Sequence, residues 1–300
     1  MAKTYRAVMV TRKGGPEALR IVELPVESPG PRQLRVRVRA AGVGSTDLLM
    51  LAGNYRYAPK IPLVPGYEIA GVVDATGAGV TGFEPSQRVA ALTVYGGFAE
   101  LLIREAEHVL PVPESVSDRD AAAVILNYVT AWQMIYRTVS VRSGETALVP
   151  GAAGGVGTAA LQLLRLAGVK TYGAASAPKH GTVRALGATP IDYRAGPIDR
   201  LTRALQPQGV DYVFDAVPTS AHASARFGEV GPWSDSVSWG HPRSYPNSPC
   251  SLTFSSERAC AGPGASSTAS PCCIAKIRSH CAKIFRGFFH SSPGRRSILW

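Results

Sequence analysis

Three stretches of this chain carry residue types that could do chemistry. The first is "VPGAAGGVGTAALQ", which sets A-x-G-x-x-G at Ala152, Gly154 and Gly157. It follows a strand-like run, opens a helix-like one and sits inside a complete strand-helix-strand unit. That is the context in which such a turn holds a dinucleotide. Gly154 has no Cβ, so the backbone can approach a pyrophosphate. Gly157 lets the helix pack closely on the strand, and the N–H groups of Gly155 and Val156 at the helix start face the anion. Ala152 replaces the first glycine and predicts a slightly wider turn. A purely structural turn is the bland alternative.

The second stretch is "YGAASAPKH", where the following strand ends. An acid there would hold the ribose 2′-hydroxyl of NAD. The chain has none and offers Ser176 and Lys179, a hydroxyl and an ammonium that suit a 2′-phosphate. NADPH is therefore expected over NADH, against the alternative of an ordinary loop lysine. The third stretch is "CCIAKIRSHC", with Cys272, Cys273, His280 and Cys281. Its spacing lacks the C-x-x-C pairs of a zinc site, so a metal is the weaker reading.

The elements needed to hold the Gly-rich turn are legible around it. "TALVP", "VKTYGAA", "TPIDYR" and "VDYVFDAV" read as strands, separated by the helix-like "TAALQLLRLAG", "PKHGTVRALG" and "PIDRLTRALQP". This alternation predicts a parallel sheet with helices on both faces. A helix is also expected from Ser117, a cap residue followed by acids and then apolar helix formers. The region before it is β-rich. "LRVRVRAAGV" alternates apolar and charged residues as a half-exposed strand does, and Gly and Pro punctuate short apolar runs after it. The fold class is thus α/β. Residues 1–122 are expected to form a β-rich barrel-like domain and 123–217 a nucleotide-binding one, truncated relative to a full doubly wound sheet. Residues 218–300 are left unassigned.

The formal charge of +11 is spread unevenly. From Pro218 onward nine Lys/Arg face three Asp/Glu, and the longer first part has no basic cluster, which argues against nucleic acid. All five cysteines (Cys250, Cys260, Cys272, Cys273, Cys281) fall after residue 249, so the patterned part has neither disulfides nor thiolate ligands. No apolar run approaches the ~20 residues of a membrane span. The first residues lack the apolar core of a signal peptide, and a cytoplasmic location is expected.

"AAGVGSTDLLMLAGNY", "PLVPGYEIAGVV", "GGFAE", "LNYVTAW", "GAAGGVGTAALQL" and "VRALGATPIDYR" together resemble the medium-chain dehydrogenase/reductase superfamily. The likeness is to its zinc-independent, quinone-oxidoreductase-like branch and runs from residue 5 to about 217. It implies a GroES-like catalytic domain, a Rossmann domain and NADPH-dependent reduction of a small quinone or enone. An alkenal or enoyl reductase and a catalytically silent nucleotide-binding adaptor stay open as alternatives, and so does a homodimer. The zinc enzymes of the superfamily place ligands where this chain has Gly44, Tyr67 and Asn127, so no metal is expected. The branch usually has Asn at Gly44. The resemblance further assigns Tyr55 to the loop over the substrate and Asn127 and Thr130 to the nicotinamide. It assigns Ala152, Gly154, Gly155, Val156 and Gly157 to the pyrophosphate, and Ser176, Lys179 and Tyr193 to the 2′-phosphate. Tyr55 or Tyr67 could donate to a developing oxyanion, with neither having an evident partner to tune it. Asp47 reads as structural, and His108 and His180 as surface residues.

After Val217 the pattern stops. When the third base of each codon from Pro218 to Val237 is read with the first two of the next, one permitted product is "HFRSRFRALRRGGALVGFG". The family resemblance calls for a sequence of that kind at this point. Trp233 before a TCN serine codon forces valine in that frame, and "HCAKIF" admits "LREDL". Residues from about 218 thus read as out-of-frame translation, with a genuine basic tail as the rival. On that reading the sheet ends with the apolar edge of "VDYVFDAV" uncovered, and the chain as written is expected to be a poor oxidoreductase or none.

Overall fold

The computed structural model describes residues 3–55, 57–215 and 235–238. The expectations for Cys250 to Cys281 lie outside these residues, as do most of those for 218–300. The chain divides into two compact units, one holding the described residues up to Val129 and the other those from Thr130 onward.

The first unit is built on antiparallel strands. β1 (Thr4–Val10) pairs with β2 (Leu19–Pro25) as a hairpin. β3 (Gln33–Ala41), β4 (Glu68–Thr76), β5 (Arg88–Leu92), β6 (Leu101–Glu105) and β7 (Val109–Pro111) form a sheet in the order β6-β3-β4-β5-β7. The alternation in β3 does what its period requires. Leu34 and Val36 are fully buried against Ile69, Val73, Val89 and Val109. Arg35 and Arg37 both reach the Asp74 carboxylate, Arg35 through Nε at 2.6 Å. A short helix, α1 (Ser45–Leu51), lies between β3 and β4.

The long helix α2 (Asp118–Trp132) starts where its cap predicts: Ser117 Oγ accepts from the Asp120 N–H at 3.1 Å and donates to the Asp120 carboxylate at 2.7 Å. It continues as a wider helical turn over Gln133–Thr138.

The second unit alternates as expected: β8 (Thr146–Pro150), α3 (Gly155–Leu166), β9 (Lys170–Ala175), α4 (His180–Ala185), β10 (Thr189–Asp192), α5 (Ile198–Leu205) and β11 (Tyr212–Asp215). Every pairing is parallel, in the order β10-β9-β8-β11-β12, with β12 formed by Asp235–Ser238. Leu148, Tyr172, Ile191, Ile198 and Val213 pack together at its core.

β12 (Asp235–Ser238) corrects one expectation. It lies parallel to β11, with Tyr212 opposite Asp235 and Asp215 opposite Ser238. The outer edge of β11 is therefore paired and not open. Strand pairing runs through backbone N–H and C=O groups, so a segment can fill an edge without an apolar pattern of its own.

Candidate functional site

In the second unit the strand order runs outward in two directions from β8, so the Gly-rich turn sits at the topological switch point of the sheet. Gly151 takes a left-handed φ of 65° and turns the chain out of β8. Gly154 caps α3. The Gly154 N–H returns to the Gly151 carbonyl at 2.9 Å and the Thr158 N–H to that of Gly154 at 2.8 Å. Among the described residues no acceptor is recorded for the N–H groups of Gly155, Val156 and Gly157. Three amides at a helix N-terminus with its positive dipole end make a cradle for an anion. A Cβ on Gly157 would run into the Gly151 carbonyl oxygen and come within 2.8 Å of Ala152 Cα, so the helix can lie this close only with glycine there. The residues present thus fit a pyrophosphate. Ala152 has another place: it is fully buried, and its N–H goes to the Ala174 carbonyl on β9 at 3.1 Å.

Because β8, β9 and β10 run parallel, the residues after each emerge at one edge of the sheet. Pro150 is in register with Ala174, and Ala175 with Asp192. That edge carries the Gly-rich turn, then Ser176 and exposed Lys179 on a single helical turn, then half-exposed Tyr193. Sequence reasoning missed Arg194, whose guanidinium stands 5.7 Å from the Tyr193 ring centroid as a second cation. Thr130 is buried on α2. His180 and His108 are half-buried rather than on the surface, with His180 Nε2 3.2 Å from the Ala175 carbonyl.

In the first unit the site grows from Asp47. Its carboxylate is buried at the start of α1 and accepts from the Gly44 and Gly66 N–H groups, both at 2.9 Å. Burial raises its pKa, and these hydrogen bonds oppose the rise. Asp47 therefore ties the turn at Gly44 to the loop that carries Tyr67, a structural role as expected.

Tyr67 and Tyr55 do have a tuning partner, contrary to expectation, and it is each other. Their hydroxyl oxygens are 2.8 Å apart and their rings meet edge-on at 6.0 Å. Tyr57 adds a second edge-on contact to Tyr55 at 5.7 Å. Burial raises both phenols above the ordinary tyrosine value, with the neighbouring Tyr67 adding to the rise at Tyr55. Both stay neutral across the physiological range. They are thus fixed hydrogen-bond donors and weak acids, suited to steadying an oxyanion but not to losing a proton outright.

Glu68, next to Tyr67, was not foreseen. It begins β4 in an otherwise apolar run and is buried. Its Oε2 accepts from the Leu126 N–H of α2 at 2.6 Å, and its side chain lies where a Cβ on Gly42 would be. Burial pushes its pKa up to about 8, despite the Leu126 bond. The sequence signal was available: a carboxylate inside "YEIAGVV" with no lysine or arginine in reach on either side. Asn127 follows Leu126 on the same helix and is half-buried. Among the described residues no three His, Cys, Asp or Glu side chains gather as a metal site.

Known proteins share this fold. Residues 30–114 match the alcohol dehydrogenase GroES-like domain. The human synaptic vesicle membrane protein VAT-1 homolog-like is 36% identical over 217 residues, covering 72% of this chain and 52% of that protein. The chain thus spans about half the length of the curated relatives it matches first. A quinone oxidoreductase of Pseudomonas syringae pv. Tomato DC3000 superposes with a TM-score of 0.74 at 33% identity, covering 79% of this chain and 74% of that one. A mycobacterial protein solved in complex with NADPH superposes with a TM-score of 0.73 at 29% identity, covering 82% and 77%.

Proposed function

This chain belongs to the zinc-independent, quinone-oxidoreductase-like branch of the medium-chain dehydrogenase/reductase superfamily, and we propose that it is an NADPH-dependent reductase of a small quinone or activated alkene. The observation that carries the reading is the start of α3, with three amides that have no recorded acceptor among the described residues, at the switch point of a parallel sheet, and a glycine that admits no Cβ. Gly155, Val156 and Gly157 would hold the pyrophosphate. Ser176, Lys179, Tyr193 and the newly placed Arg194 would surround the 2′-phosphate. Asn127 and Thr130 are assigned to the nicotinamide. When bound, the dihydronicotinamide supplies a hydride, which is the difficult part of the chemistry.

The chain's own contribution is orientation and electrostatics. One phenol of the Tyr55–Tyr67 pair donates to the acceptor's carbonyl oxygen while the other holds it in place. As that oxygen gains charge the donated bond strengthens, so the pair favours the transition state over the bound acceptor. Each phenol keeps its proton, so the pair acts by hydrogen bonding alone, and solvent supplies the final proton.

The test follows NADPH oxidation by the full chain with a benzoquinone and, separately, with an unsaturated ketone. Turnover of either acceptor is expected, with Tyr55→Phe lowering kcat/KM by about tenfold or more and leaving NADPH binding unchanged. Binding of NADPH without turnover of any acceptor would replace this reading with that of a silent nucleotide-binding protein.

A further inference from the structure

The first unit contains a cavity of about 300 Å³ whose lining includes Tyr5, Pro59, Pro62, Tyr95, Leu102 and Arg104, and none of Asp47, Tyr55, Tyr67 or Glu68. Among the described residues its one cation is Arg104, at the end of β6. The guanidinium donates to the carbonyls of Ile103 at 2.8 Å, Thr93 at 3.3 Å and Tyr95. The Tyr95 ring centroid lies 5.5 Å from it. No carboxylate among the described residues pairs with it, although Glu105 beside it in sequence is engaged by Gln33 at 2.9 Å. Loss of water pulls its pKa below the ordinary guanidinium value, opposed only by the nearby Tyr95 phenol.

Two features mark the backbone beside this side chain. Val94, a β-branched residue, is held at φ 64°, a region such residues rarely adopt. Gly96 has φ 90°, and a Cβ there would stand 2.9 Å from Arg104 Nη2. The carbonyls take up three N–H groups of the guanidinium. Two more, including Nε–H, have no protein acceptor among the described residues. Partial dipoles can solvate a cation but do not neutralise it, and a part-buried cation without a counter-charge is costly to keep.

The geometry points to a second ligand site, in which Arg104 binds the carboxylate of a small planar acid whose ring lies between the tyrosine and proline walls. A monoanion matches the one cation among the described lining residues. Arginine holds carboxylates through short charge-assisted bonds, and a cavity at the small end of the ligand range leaves room for about one ring. This proposal is independent of the nucleotide chemistry, and its test needs no turnover.

The probe is para-fluorobenzoate, titrated into the full chain and read by fluorine NMR line broadening, with the neutral para-fluorobenzamide as its isostere. Saturable binding of the benzoate is expected, at least tenfold tighter than the amide. Arg104→Gln keeps donors for the loop carbonyls and removes the charge, so it should abolish that preference. Tyr5→Ala removes one wall without touching the guanidinium bonds and should weaken the benzoate several-fold, which decides the matter if the glutamine variant does not fold. Equal binding of acid and amide, no saturable binding to the folded chain, or full benzoate affinity in Tyr5→Ala would each overturn the proposal and leave Arg104 as a staple for the loop at 93–96.

Discussion

Glu68 of the first unit shows how burial decides chemistry at the scale of a single group. Glu68 costs little when protonated and much when ionised, because among the described residues its surroundings offer one backbone donor and no cation. Its folded pKa is raised to about 8, above the ordinary carboxylate value. Between those two values the folded chain holds a proton that the unfolded chain has lost, so stability is full at low pH and falls as pH rises through that window. The loss is on the order of a few kcal/mol. Denaturant titrations between pH 5 and 8.5 should show this decline in the native chain, and Glu68→Gln should flatten it. A native chain as stable at pH 8.5 as at pH 5 would mean that water or a counter-charge reaches the carboxylate. Neither this acid nor the Tyr55–Tyr67 pair was legible in sequence. The tyrosines lie on a long loop whose path depends on Asp47 bonding Gly66. Residue types and spacing reveal a tyrosine but not the partner that a loop will bring to it.

At the scale of elements, the Gly-rich turn was readable because its requirements are local: a strand before it, a helix after it, and glycine wherever the backbone must come close. Gly157→Ala places a methyl group against the Gly151 carbonyl oxygen, and backbone cannot yield there cheaply. The variant should lose about 1–3 kcal/mol of stability, the range for overpacking a close contact, and should bind NADPH more weakly because α3 is displaced from the turn. Thermal melts with and without the cofactor would measure both. Lys179, exposed on the turn after β9, makes the complementary case. A charge-assisted contact to the 2′-phosphate is worth about 1.5–3 kcal/mol, so Lys179→Ala should weaken NADPH about tenfold or more and leave NADH nearly unchanged. Equal losses for the two cofactors would show that the lysine does not read the phosphate, and Arg194 would be the next cation to test. β12 marks where reading by element ended: "DSVS" has no apolar alternation to announce a strand, and the open edge of β11 is what gives it one.

At the scale of the molecule, two properties of the sequence change together near residue 217. The strand-helix alternation ends at Val217, and all five cysteines and an excess of six positive charges fall after it. Out-of-frame translation accounts for both, since a shifted reading keeps the gene's base composition and discards its amino-acid patterning. On this view the message around codon 217 should show a one-base shift relative to the frame that yields "HFRSRFRALRRGGALVGFG". The energetic consequence can be measured. A ligand that binds only the folded state stabilises it by RT ln(1 + [L]/Kd), about 2.7 kcal/mol at a hundredfold excess over Kd. The Gly-rich turn, Lys179 and Tyr193 all precede residue 217, so the chain as written retains the residues we propose for the pyrophosphate and the 2′-phosphate. The strands that would follow β11 in the family frame, and the backbone they would bring to the nicotinamide end, come only with the restored sequence. NADPH should therefore raise the melting temperature of the restored chain by several degrees more than that of the chain as written, at equal concentration. Equal shifts would mean that residues from Pro218 onward complete the cofactor site as they stand, and the shifted frame would have to be abandoned for a genuine C-terminal segment.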